Sequence, residues 1–291
     1  MKIAVASGKG GTGKTLVSTN IFDTLTKNGF RAVLVDCDAE APNSIAFFDA
    51  KLVSTSEVYH NVPVIDTSKC TYCGKCHEYC NYNAIFILPP VKIIQVIEDL
   101  CHGCGACTVA CEFDAITEKQ VSLGQVKTYS LNGDPSLIEA RMNIGVMSPV
   151  SIIKAAIKQV DLKADVVILD SPPGTSCPFV QTVAASDYVI LVTEPTPFGF
   201  SDLKQSVETL KGMNKPCGVI INRAGLGNNQ VQQYLKDEGI PLLTEIPFDK
   251  KIAEYYSKGE IVSAKIPELK EQLTRVVNQI IENYGSSSNQ R

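Results

Sequence analysis

Eight of the chain's eleven cysteines lie between residues 70 and 111. They form two runs of one spacing, Cys70-x2-Cys73-x2-Cys76-x3-Cys80 and Cys101-x2-Cys104-x2-Cys107-x3-Cys111. The second run repeats the first at an offset of 31 residues, and the same offset carries Gly74 onto Gly105, Ala84 onto Ala115 and Ile85 onto Ile116. Thiolates are soft ligands, and cysteines clustered in this way read as a metal module rather than as a disulfide framework. Three cysteines at short intervals wrap a loop around three irons of one cube, while the fourth begins a helical turn that leads away from it. Structural zinc, the competing reading, takes its four ligands at other spacings.

The doubled spacing resembles that of bacterial two-cluster ferredoxins, in which the fourth cysteine of each run serves the other cluster. Two [4Fe-4S] clusters are therefore expected. One is expected on Cys70, Cys73, Cys76 and Cys111, and the other on Cys101, Cys104, Cys107 and Cys80. Asn81 and Glu112 stand where a proline usually follows the fourth cysteine.

A second constellation is built for phosphate. Residues 8–15 read Gly8-Lys9-Gly10-Gly11-Thr12-Gly13-Lys14-Thr15, between an apolar run at 2–7 and a helical pattern at 16–27. This is G-x-x-x-x-G-K-[ST] in its strand–loop–helix context. The glycines let backbone N–H groups turn toward phosphate oxygens, and the following helix N-terminus adds its dipole. Lys14 is expected to neutralise the β- and γ-phosphates, and the Thr15 hydroxyl to ligate Mg2+.

The extra lysine makes Lys9-Gly-Gly-x-Gly-Lys-Thr15 similar to the deviant Walker A motif of the MinD/ParA/Mrp and nitrogenase iron protein class. Three further segments carry the resemblance: Asp36-Cys37-Asp38, Asp170-Ser-Pro-Pro-Gly174, and Asn222-Arg223 with Pro247-Phe248-Asp249. The resemblance implies that Lys9 reaches the nucleotide of a second subunit, that Asp38 orients the attacking water, and that Asp36 and Asp170 stand near Mg2+. Gly174 is then a γ-phosphate sensor, Asn222 reads adenine, and the loop at Pro247 closes over the base. The implied ligands are ATP/ADP and Mg2+, and the implied assembly is a nucleotide-dependent homodimer.

Three cysteines remain. Cys37 and Cys217 read as small core residues. Cys177, seven residues beyond Asp170, lies near the place where the nitrogenase iron protein carries an intersubunit cluster ligand, so an interface metal is a possible role for it.

These residues need a scaffold. Buried apolar runs at 32–35, 166–169, 188–192 and 218–221 alternate with helical patterns at 151–160, 201–212, 229–238, 249–258 and 267–284. The alternation predicts a doubly wound, mainly parallel α/β sheet of the P-loop NTPase type, interrupted by a small α+β ferredoxin-type module. The expected division is 1–60 and 120–284 for the nucleotide domain, 61–119 for the insert, and 285–291 for a disordered tail. Residues 126–131 are expected to be a strand.

With 44% apolar residues and a net charge of −4, the composition supports a sizeable core and gives no basic block for nucleic acid. No apolar run approaches a membrane span and no signal peptide is legible, so a cytoplasmic protein without membrane or nucleic-acid partners is expected. The helical pattern at 267–284 carries Glu268, Glu271 and Glu282 and few basic residues, which suits a core-packed helix rather than a membrane anchor. The expected activity is ATP hydrolysis coupled to electron transfer from the two clusters to an unknown redox partner. The alternative is ATP-dependent assembly or delivery of an iron–sulfur or other metal cofactor to an accepting protein. A spatial-positioning ATPase like MinD is the reading from a third class.

Overall fold

The computed structural model describes residues 1–131 and 133–285; the rest of the expected tail, 286–291, lies outside the described residues. The chain begins with β1 (Lys2–Ala6), α1 (Lys14–Lys27) and β2 (Ala32–Asp36). A 3-10 turn over Ser44–Phe47 leads into a long strand, β3 (Lys51–Ile65). The cysteine runs follow, with α2 (Lys75–Glu78), β4 (Ile85–Leu88), β5 (Ile93–Val96) and α3 (Ala106–Ala110). A second long strand, β6 (Ile116–Leu131), returns to β7 (Asp134–Met142). The remainder alternates: α4 (Val150–Lys158), β8 (Val166–Asp170), α5 (Cys177–Ala184), β9 (Tyr188–Thr193), α6 (Pro197–Gly212), β10 (Cys217–Ala224), α7 (Gln230–Asp237), β11 (Leu242–Pro247), α8 (Lys250–Ser257) and α9 (Pro267–Tyr284).

The main sheet has the order β11-β10-β9-β1-β8-β2-β7-β6-β3. From β11 to β7 every neighbouring pair is parallel, as expected for strands joined by helical crossovers. Strand alternation divides the core between the two faces. Ala4, Ala6, Val33 and Val35 pack with Ile152, Ile153, Phe179, Val183, Leu203 and Leu235 on one face. Ile3, Val5 and Leu34 pack with Leu16, Ile21, Leu25, Leu273 and Ile280 on the other. Helix α9 is thus a core helix, its apolar stripe covering α1 and the sheet. No described helix is long and apolar enough to cross a membrane.

The antiparallel edge is the feature that the hydrophobic pattern did not show. β7 pairs with β6, and β6 pairs with β3 from Ile65↔Ile116 to Lys51↔Ser130, making a two-stranded ribbon. The expected boundaries at 60/61 and 119/120 fall inside β3 and β6, and both strands continue through them. Residues 66–115 therefore sit at the far end of a ribbon whose near end is part of the nucleotide sheet. Most of β3 is exposed, so its residues carry no apolar face and look irregular in sequence.

The 31-residue repeat is also a backbone repeat. Gly74 and Gly105 adopt positive φ at equivalent points, as do Tyr72 and Gly103, and Asn83 and Asp114. The Asp66 N–H donates to Ala115 O, and the Ile97 N–H to Ala84 O, each at 2.8 Å. The β4–β5 pair Ile85↔Val96 matches the β6–β3 pair Ile116↔Ile65. The buried core here comprises Cys76, Ile85, Cys107 and Ile116, with Ile65, Ile94 and Cys111 packed against it.

Candidate functional site

Parallel strands bring their carboxyl ends to one edge of the sheet, where the loops that follow them meet. Val5 of β1 and Asp36 of β2 both lie in register with Asp170 of β8. The phosphate loop leaves β1 and enters α1 at Gly13, whose φ is 100°. A side chain at Gly13 would put Cβ 2.3 Å from Asn222 Nδ2, so only glycine fits beneath that amide. The Asn222 amide itself donates to Thr12 O at 2.8 Å, tying β10 to the loop.

Lys14 is buried at the start of α1, and the Thr15 hydroxyl donates to Asp170 Oδ2 at 2.8 Å. The Ser44 hydroxyl reaches the same oxygen at 3.3 Å. The other oxygen, Asp170 Oδ1, is buried and accepts no hydrogen bond among the described residues. An orphaned carboxylate oxygen beside a threonine hydroxyl is a hard-oxygen set that fits Mg2+. Asp36 is differently engaged. Its Oδ1 accepts the Asp38 N–H, and its Oδ2 accepts the N–H groups of Asn43 and Ser44, at 2.8 to 3.1 Å. Asp36 therefore holds the turn before β3, in register with Asp170 but with both oxygens already occupied.

Burial and mutual repulsion shape the charges. Burial, with the neighbouring Asp170 charge, pushes Asp36 up to about 7. Burial also pushes Asp170 up to about 6, against the pull of Lys14 and the Thr15 hydrogen bond. Half-buried Asp38 is raised by the same desolvation and faces the Lys14 charge. Such a cluster of raised carboxylates is poised to accept a cation. The Gly174 N–H donates to Ser7 O at 3.1 Å, placing the loop after β8 against the phosphate loop. A cavity of about 190 Å3 lies alongside, lined by Gly11, Gly13, Leu16, Asn222, Pro247, Phe248 and Tyr256 among others. The expected base-binding residues Asn222 and Pro247 thus face one space.

Three residues of this site escaped the sequence reading. Glu194 follows β9 and binds both Lys9 and Arg223. Like Asp36 and Asp170 it is an acid at the end of a buried apolar run, but those two were picked out by the family resemblance, which does not extend to Glu194. Ser44 and Tyr256 carried no signal. The Tyr256 phenol is pushed up by burial and by the Asp170 charge, while the Thr15 and Asn43 side chains act the other way.

The cysteines form two further sites. One cavity is lined by Cys70, Cys73, Cys76 and Cys111; a second by Cys80, Cys101, Cys104 and Cys107. Each contains three cysteines of one run and the fourth of the other. The Tyr72 N–H donates to Cys70 Sγ and the Gly103 N–H to Cys101 Sγ, each at 3.4 Å, and the Ala84 N–H to Cys80 Sγ at 3.3 Å. Among the described residues no three potential ligands converge on a single ion position, and the sulfurs instead stand on the walls of their cavities. Cys37 is fully buried in the sheet core, where burial pushes its thiol up, and Cys217 is half-buried at the start of β10. Cys177 is exposed at the first position of α5.

Comparison with known proteins places this geometry. An uncharacterised protein of Methanocaldococcus jannaschii is 34% identical over 284 residues, covering 97% of this chain and 98% of its own. An iron–sulfur cluster carrier protein of Pyrococcus furiosus is 25% identical over 288 residues, covering 89% of this chain and 77% of its own. Among solved structures, the septum site-determining protein MinD of Pyrococcus horikoshii, complexed with Mg-ADP, aligns with a TM-score of 0.59 at 20% identity. That alignment covers 96% of this chain and 95% of that one. At that identity the likeness is one of fold. The family model for the CobQ/CobB/MinD/ParA nucleotide binding domain matches residues 3–262. The chain belongs to this CobQ/CobB/MinD/ParA family of P-loop nucleotide-binding proteins.

Proposed function

We propose that the chain is an ATP-hydrolysing iron–sulfur protein that uses its nucleotide cycle to assemble or deliver an iron–sulfur or other metal cofactor. We propose further that residues 66–115 form a ferredoxin-type unit holding two [4Fe-4S] clusters. The observation that carries this reading is the pair of four-cysteine cavities at the end of a ribbon continuous with the nucleotide sheet. Sulfurs that line a cavity wall suit a multi-iron cube, whose ligands are spread over its corners; a tetrahedral zinc would draw them together. The iron–sulfur cluster carrier relatives support delivery as the purpose. Cys177, exposed just beyond the loop that carries Gly174, is the side chain we assign to cargo at a dimer face.

In hydrolysis the glycine-rich loop, Lys14 and Lys9 stabilise charge on the transferring phosphoryl group, and Asp38 positions the attacking water. Thr15 and Asp170, with Asp36 behind them, would hold Mg2+, which would supply charge neutralisation at the phosphates. Lys9 acts on the nucleotide of a second copy. Mixing Lys9→Ala chains with Asp38→Ala chains, each inactive alone, tests this: one site of the mixed dimer keeps both groups, so activity returns. Mixed dimers without activity would exclude it.

A second reading, ATP-gated electron transfer to a partner, is favoured by the ribbon, which joins the nucleotide edge to the cysteines without a flexible linker. Radiolabelled iron separates the two. Delivery predicts ATP-dependent movement of label from the chain to an apo-acceptor, lost in Cys177→Ser. Gating predicts that the label stays while an electron acceptor is reduced.

A further inference from the structure

Two cations of the nucleotide site converge on one buried carboxylate. Lys9 Nζ donates to Glu194 Oε1, and Arg223 Nη1 donates to Glu194 Oε2 at 2.8 Å. The Glu194 side chain is 10% exposed, against 29% for Lys9 and 49% for Arg223. The carboxylate is thus the fixed member and the two cations are the movable ones. Thr196 Oγ1 lies 3.5 Å from Oε1 and also caps α6 by accepting the Gly199 N–H, which anchors the segment that carries Glu194. Burial works against ionisation of Glu194, but the hydrogen bond and charge of Lys9, joined by Arg223, hold its pKa below the usual value.

The two cations come from different parts of the site. Lys9 is inside the phosphate loop, where the Ser7 hydroxyl donates to its carbonyl at 2.5 Å. Arg223 stands on the rim of the base cavity, next to Asn222. A buried carboxylate with one cation resists losing it, because an unpaired charge in a low-dielectric setting is costly. With two cations, one can leave while the other keeps the carboxylate paired.

We propose that Glu194 is a positioning residue that latches Lys9 within its own subunit in the absence of nucleotide. Arg223 makes the latch reversible by holding the carboxylate when Lys9 swings out to a second copy's phosphates. The proposal rests on the trans role of Lys9 given above. It adds a threshold: the γ-phosphate of the second copy must outcompete Glu194 for the ammonium group, so the ATP-bound dimer is resisted until nucleotide is plentiful. Removing the carboxylate lowers the threshold, and removing the spare cation raises it.

The test uses the full chain, purified anaerobically. It measures the ATP concentration for half-maximal dimerisation by analytical ultracentrifugation, with KM and kcat for ATP and the affinity of the monomer for ADP. Glu194→Gln should lower the dimerisation midpoint and KM about 10-fold, a typical coupling between sites, with kcat and ADP affinity changing far less. Arg223→Gln should raise the midpoint. Adding Glu194→Gln to a Lys9→Ala chain should have no effect on the midpoint, because the latch has no bolt left to release. An unchanged midpoint in Glu194→Gln, or a raised one in a folded chain, overturns the latch. If Glu194→Gln does not fold, Glu194→Asp keeps the charge but withdraws it from Lys9, and it must lower the midpoint or the latch falls. The two readings fail separately: no rescue on mixing Lys9→Ala with Asp38→Ala chains defeats the trans role, whereas rescue with an unmoved Glu194→Gln midpoint defeats the latch alone.

Discussion

The nucleotide sheet and the cysteine unit are stabilised by different means. β1, β2, β8 and β9 are buried along almost their whole length, and each face of the sheet carries its own large apolar cluster. The buried apolar residues of 66–115, with Ile116 at their edge, are mostly small: Ala84, Ala110 and Ala115 beside Ile85 and the cysteines Cys76 and Cys107. Apolar burial scales with size, and a unit of this length gains only a few kcal/mol from it, on the order of 3–5. Burial raises the thiols of Cys76, Cys101 and Cys107, so the unliganded unit keeps them protonated and gains nothing from their charge. Hydrophobic area holds the one unit; under the proposed function, what the cysteines bind holds the other.

Iron removal should break this comparison most visibly. Stripping iron under anaerobic chelation should abolish amide protection across 66–115 while leaving β1, β2, β8 and β9 protected, as followed by hydrogen exchange. The intact chain should carry about eight irons and eight sulfides. Equal protection of both regions without iron would show that the small core suffices.

Lys14→Ala acts on the other region. It should lower ATP hydrolysis by a factor on the order of 10^2 or more, the scale for losing one group that stabilises transition-state charge. Iron content should not change, since Lys14 starts α1 in the nucleotide site while 66–115 lies at the far end of the β3–β6 ribbon. Iron loss in step with activity would join the two regions that the comparison separates.

The ribbon is where they meet, and Gly124 tests it. Its φ is 153°, it begins the β6–β7 pairing opposite Met142, and β3 shifts register across from it between Val58 and Tyr59. A Cβ there would lie 2.2 Å from Arg141 O. Gly124→Ala should cost roughly 1–3 kcal/mol in global stability, measured by urea unfolding. An unchanged midpoint would mean that the strand exit is looser than its geometry implies.

The smallest effect is set by pH. Asp36 and Asp170 have folded pKa values of about 7 and about 6, above the ordinary 3.8. The folded chain therefore binds more protons than the unfolded one between those values. The contribution of these groups to stability is full below 3.8, falls as pH rises through about 6 and 7, and is flat above. Asp170→Asn should flatten this decline and raise the Tm of the nucleotide-free chain by a few degrees at mildly alkaline pH. Mg-ATP should oppose the decline in the parent chain only. A parent Tm that climbs over the same window would contradict the raised values.

Much of the nucleotide half was legible because its chemistry depends on local sequence. A phosphate loop needs glycines at fixed offsets, so residues 8–15 stand out, and buried parallel strands are apolar throughout, so 32–35, 166–169 and 188–192 read as strands. The mainly parallel sheet followed from their alternation with helices, and α9 was legible as a core helix from its stripe. The cysteine spacing is equally local, and its resemblance to two-cluster ferredoxins implies the grouping of Cys111 with the first run and of Cys80 with the second. β3 and β6 were not legible as one ribbon. Their long pairing is between distant residues, and exposed strands carry no periodic apolar face to announce it.

By itself, then, the sequence determined the chemistry available to this protein: a loop that can cradle phosphates, two sets of cysteines, and carboxylates at the ends of buried strands. These are contiguous motifs, fixed by backbone conformation and spacing. Tertiary structure alone decided which charges face one another. It set Asp36 beside Asp170 across two strands, gave Asp36's oxygens to the backbone of residues 38, 43 and 44, and brought Lys9 and Arg223 to Glu194. Those pairs join residues up to 185 positions apart, and their energies depend on burial, which only the packed fold supplies.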